Sequence, residues 1–201
     1  QEDGRPKPEI QKLLSAGMAV VGVDLFGQGE FTADGKPIAE TRTAGSGRDA
    51  WKHYAGYTFG YNYSVFSKRV HDILTIIALA RYGDHPVDTV HLVGLGGAGH
   101  WVAAARAQAG DVVARTVVDT AGFRFAGLTS LSDPDFLPGG AKYLDLPGMI
   151  ALAAPGELWL GGEGDKATPV IAAAYKASGH PKRLTISSGG GADAAVKWLL
   201  R

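Results

Sequence analysis

Residues 90–101 read Val-His-Leu-Val-Gly-Leu-Gly-Gly-Ala-Gly-His-Trp, a β-branched run that meets a cluster of glycines. Two kinds of chemistry use such a turn. In the first, G-x-G-x-x-G brings a dinucleotide pyrophosphate against a helix N-terminus, and Gly94, Gly96 and Gly99 match that spacing. Asp119 then follows at about the distance at which an acid would hold a ribose hydroxyl of NAD or NADP. In the second, G-x-S-x-G presents a nucleophilic serine at a sharp strand-to-helix turn. Gly94-Leu95-Gly96-Gly97-Ala98 fits the shape of that turn, with Gly96 where the serine would stand. The nucleophile position is then vacant, while the N–H of Gly97 would still serve an oxyanion. His100, just beyond, is a candidate for a relocated base or a packing residue of the first helical turn.

Other routes to catalysis are thin. There is no cysteine, hence no thiolate nucleophile, disulfide frame or cysteine metal site. No pair among the six histidines has metal-ligand spacing with a carboxylate, so no metal is expected. Ser130, Ser132, Ser187 and Ser188 lie near loops, none on an elbow where a base would activate it. The aromatics of Tyr54–Tyr63 read either as a carbohydrate platform or as core and lid over a sheet edge.

The elements that must position these residues follow from periodicity. Pro8 starts a helix with Ile10, Leu13 and Leu14 on one face, stopped by Gly17. Met18–Asp24 is an almost continuous apolar run closed by an acid, which predicts a strand buried on both faces. Phe26–Gly60 is irregular. Ser64–Arg81 keeps helical spacing through Val65, Phe66, Val70, Ile73, Leu74, Ile77 and Ala80. After the Val90 strand comes an alanine-rich helix, then a strand at Ala114–Asp119. A lid-like insert punctuated by Pro and Gly spans about 121–152. Strands at Glu157–Gly161 and Arg183–Ser187 alternate with helices at Pro169–Ser178 and Ala192–Arg201. This alternation predicts an α/β fold, a mostly parallel sheet with helices on both faces. Ligands in such sheets bind beyond the carboxyl ends of the strands, here Asp24, Gly94, Asp119, Gly162 and Ser188.

At 201 residues the chain is expected to form one domain over 1–201. Lys+Arg 20 against Asp+Glu 20 gives no net charge, so neither nucleic acid nor an anionic membrane is expected as a partner. No apolar run reaches membrane-spanning length and no signal peptide is visible. A soluble chain is expected, in a compartment the sequence leaves open, secreted and periplasmic ones included. The start at Gln1 rather than Met points to processing or truncation upstream.

Several stretches, in order, resemble the α/β-hydrolases. Leu14–Phe31, LSAGMAVVGVDLFGQGEF, is similar to the strand and G-x-G turn after their first helix. Val90–Gly99 resembles their nucleophile strand and elbow. Leu158–Pro169, LWLGGEGDKATP, resembles the strand and loop that present the triad acid, with Asp165 in its place. Ser188–Leu200 resembles the histidine loop and closing helix. Within the superfamily the likeness is to acetyl-xylan-esterase or dienelactone-hydrolase-like proteins, and to the degenerate second unit that follows an ordinary one in some of them. The resemblance implies an ester hydrolase that has lost its machinery. The serine position is Gly96, the base should lie near Gly189-Gly190-Gly191 where no histidine stands, and Asp165 is the residual acid. It implies an upstream hydrolase unit of the same polypeptide as partner, carbohydrate or a small ester as ligand, and no cofactor. It further implies that the strand between Ala19–Asp24 and Val90–Val93 comes from before Gln1. An ester hydrolase with unorthodox residues and an NAD(P)-binding protein remain the alternatives.

Overall fold

The computed structural model describes residues 5–42, 58–164, 168–189 and 191–201. Four strands build its sheet: β1 (Val90–Gly94), β2 (Val113–Asp119), β3 (Glu157–Gly161) and β4 (Leu184–Ile186). They lie in the order β1-β2-β3-β4 and every pair is parallel. Parallel neighbours need a crossover, and a helix supplies each one. These are α3 (Gly99–Ala109), α4 (Asp145–Ala151) and α5 (Pro169–Ala177), preceded by α1 (Pro8–Ser15) and α2 (Val65–Tyr82) and followed by α6 (Ala192–Leu199).

Side-chain alternation along the strands divides the interior between two faces. Val118, Leu158 and Leu160 join Phe66, Val70, Trp101–Ala105, Leu146, Ile150 and Ile171 beneath α2 to α5. Val117 and Trp159 point the other way, onto Leu13 of α1 and Ala195, Val196, Trp198 and Leu199 of α6. The sheet is therefore covered by helices on both faces, as the alternating pattern predicts. Alanine dominates α3 because it is buried all round, from Gly99 to Arg106, between sheet, α2 and α4. Arg106 survives there by binding carbonyls near two helix C-termini, Gly110 O at 2.6 Å and Ala153 O at 3.3 Å, where the dipoles favour a cation. The insert also feeds the core, through Phe125, Leu146 and Ile150.

One predicted element does not form. Met18–Asp24 carries no strand, and Val20, Val21 and Val23 are 38%, 71% and 44% exposed. A strand is made by its ladder, and an apolar run without a neighbour stays merely extended. Among the described residues β1 pairs only with β2, and no ladder joins its other edge to residues 18–24. The segment is tied down at its ends instead. Leu25 is buried, and Phe26 donates its N–H to Asp72 and accepts from Arg69 Nε. No described helix is long and apolar enough to cross a membrane.

Candidate functional site: the glycine turn between β1 and α3

The turn from Gly94 to Gly99 needs its glycines for two separate reasons. A Cβ at Gly94 would sit 2.8 Å from Val102 Cβ, and one at Gly99 would run into the carbonyl of Asp119. These two let α3 lie directly on β1 and β2. Gly96 and Gly97 face open space, but their φ angles are +59° and +94°, a region L side chains occupy only under strain. Ala98 closes the turn by donating to Leu95 O, and Ala98 O starts the helix by accepting from Val102 N. The apex thus carries backbone N–H groups and no reactive side chain. Among the described residues no backbone bond takes up the N–H of Gly97.

His100 is 5% exposed and turned away from solvent. Its ring stacks on Phe123 at 4.2 Å and on Phe66 at 6.0 Å. Nε2 lies 3.1 Å from Asp135 Oδ1, off the line of a good hydrogen bond. The same oxygen accepts from Trp101 Nε1 at 2.8 Å and from Arg69 Nη1 at 3.3 Å. Arg69 is buried and also lies over the Trp101 ring. Burial alone would raise the Asp135 carboxyl, but His100, Trp101 and Arg69 together hold it below the usual carboxylate range. This cluster ties α2, the first turn of α3 and the insert together.

Asp119 ends β2, and its Oδ1 accepts from Ala121 N at 3.0 Å. Beside it, at the carboxyl ends of β2 and β3, the Glu163 side chain is only 2% exposed. It accepts from Thr120 Oγ1 at 2.7 Å and from both Arg124 terminal nitrogens, at 2.9 and 2.6 Å. That clasp pairs the Glu163 and Arg124 charges at the carboxyl ends of β2 and β3.

The structure brings Gly94, Gly96, Gly97, Gly99, His100 and the Asp119 backbone into one neighbourhood around the turn. Asp165 and Gly190 lie outside the described residues, as do Tyr54 and Tyr57 of the aromatic stretch. Gly189 and Gly191 are described, and a Cβ at either would meet nothing within 4 Å. Among the described residues no group of His, Asp and Glu could hold a metal ion. Sequence reasoning passed over Asp135, Arg69, Glu163 and Arg124. Arg69 had a visible signal, since it sits in the apolar stripe of α2 between Phe66 and Ile73. The acids did not, because their partners are 34 to 66 residues away along the chain.

Comparison with family models, curated proteins and solved structures found no match to this chain.

Proposed function

We propose that this chain is an α/β-hydrolase-type domain that has lost ester hydrolysis and acts as a structural or binding module. The observation that carries the reading is Gly96, which holds the positive φ of a nucleophile elbow, +59°, at the apex of the β1–α3 turn, yet has no side chain. His100, in the first turn of α3, is enclosed by aromatic rings and engaged with Asp135. A base so buried has no path to a water or an ester at the turn. On this reading the partner is an ordinary hydrolase unit of the same polypeptide, and carbohydrate or a small ester is the ligand class. Support for a strand supplied by that partner comes from residues 18–24 and the outer edge of β1. Both leave backbone groups unpaired among the described residues. The test is turnover of short acyl esters by the purified chain, expected at background. Turnover abolished by His100→Gln or Asp165→Asn would replace this reading with relocated catalysis.

A second reading has its own observation. β1 and β2 are adjacent and parallel, Asp119 ends β2, and Gly99 packs on it, the layout of a dinucleotide-binding unit. The Asp119 carboxylate already accepts from Ala121 N, which weakens it as a ribose ligand. NAD or NADP raising the melting temperature, with the shift lost in Asp119→Ala, would favour this reading.

A further inference from the structure

The insert holds an open pocket of about 220 Å³ lined by Phe125, Leu128, Phe136, Leu137, Gly140 and Lys142. Its walls are built in place. Asp145 accepts from the N–H groups of Phe125 and Ala126, at 2.8 and 3.0 Å, and so fixes the Phe125 wall to the start of α4. Gly140 is buried against Phe125, whose ring would lie 2.7 Å from any Cβ there. Turn bonds from Gly140 N to Leu137 O and from Lys142 N to Gly139 O set the rim. Phe136 is backed by Phe59 at 5.1 Å.

The chain just beyond the pocket is strained. Tyr143, Leu144 and Asp145 have φ of 55°, 72° and 57°, three successive residues in a region that costs each of them energy. Lys142 precedes this run, with its Nζ 5.3 Å from the Tyr143 ring. Among the described residues it has no carboxylate partner. The nearest acid in the chain, Asp145, is occupied by backbone donors, and Asp135 belongs to the Arg69 cluster.

We propose that this pocket binds a small amphiphilic carboxylate, its apolar ring or short chain against Phe125, Leu128, Phe136 and Leu137 and its carboxylate at Lys142. A dry apolar cavity of about 150 Å³ is enough to hold benzene, so this volume takes one six-membered ring and a short acid arm. Phenylacetate has that size. The Lys142 ammonium, without a carboxylate partner among the described residues, selects a monoanion over a neutral or cationic analogue of equal shape. The pocket belongs to the insert and not to the glycine turn, so ligand binding there is independent of ester hydrolysis.

The experiment is a titration of the isotope-labelled chain with phenylacetate, phenylacetamide and phenethylamine, read at the backbone amides of residues 137–142. Saturable shifts are expected, with phenylacetate bound about two- to five-fold more tightly than phenylacetamide, the gain an exposed ion pair gives. Phenethylamine is expected to bind weakest. Lys142→Gln should bring phenylacetate down to the level of phenylacetamide and leave phenylacetamide unchanged. No saturable shift at these amides, equal binding of the cation, or an anion preference that survives Lys142→Gln would each overturn the proposal.

Discussion

Replacing Gly96 by serine separates the backbone cost of the elbow from its chemistry. A Cβ there meets nothing within 4 Å, so no steric clash contributes. What remains is the positive φ of +59°. Placing an L residue in that region costs roughly 1–2 kcal/mol. For a chain of this size each kcal/mol lowers Tm by about 2–4 °C, which predicts a loss of about 2–8 °C for Gly96→Ser. Gly96→Ala should lose the same amount, because the cost lies in the backbone and not in the hydroxyl. Urea and thermal melts of both variants beside the parent chain give the comparison. A variant as stable as the parent, or more so, would refute the strained-elbow assignment. A much larger loss in both would mean that the apex is packed, contrary to the open space around it.

Three other outcomes follow from the same geometry. Gly99→Ala should cost about 3 kcal/mol or more, the upper end of overpacking, because its Cβ meets the Asp119 carbonyl; a melt close to that of the parent would contradict the contact. Asp135→Asn should cost on the order of 3 kcal/mol in a urea melt, since Arg69 is left buried without its counter-charge, with the 24% exposure of Asp135 keeping the loss at the low end. A loss within ~0.5 kcal/mol, as for an ordinary surface substitution, would show that the cluster holds nothing together. Burial, with Arg115 adding to it, holds the His91 imidazole below its ordinary value, so its neutral form stabilises the fold above about pH 6.5. That contribution is lost as pH falls from there through the lower folded value, and His91→Gln should flatten the decline in urea midpoint across the window.

The sheet was legible because its strands are apolar runs, three of them followed by a helix of matching period, and the glycine turn because glycine marks positive φ and close packing. Met18–Asp24 was misread for a physical reason. Periodicity reports that residues are apolar, whereas a strand also needs a neighbour to pair with, and no described strand lies beside this run. The polar clusters were hidden for a similar reason. Asp135 and Glu163 look like ordinary loop acids until folding brings Arg69, Trp101, Thr120 and Arg124 to them. Gly97 and Asp119 could be located from the turn and the strand end, but the Ala121 N–H that engages the Asp119 carboxylate could not.

Whether the turn between β1 and α3 retains any nucleophilic chemistry is tested most directly by restoring the missing hydroxyl. Hydrolysis of p-nitrophenyl acetate and covalent labelling by a fluorophosphonate are followed side by side for the parent chain and for Gly96→Ser, at equal folded concentration. Background hydrolysis and no adduct at position 96 are expected in either, because His100 is enclosed and the glycine loop at 189–191 carries no imidazole. Stoichiometric labelling of position 96 in the variant, or parent turnover that His100→Gln removes, would contradict this expectation.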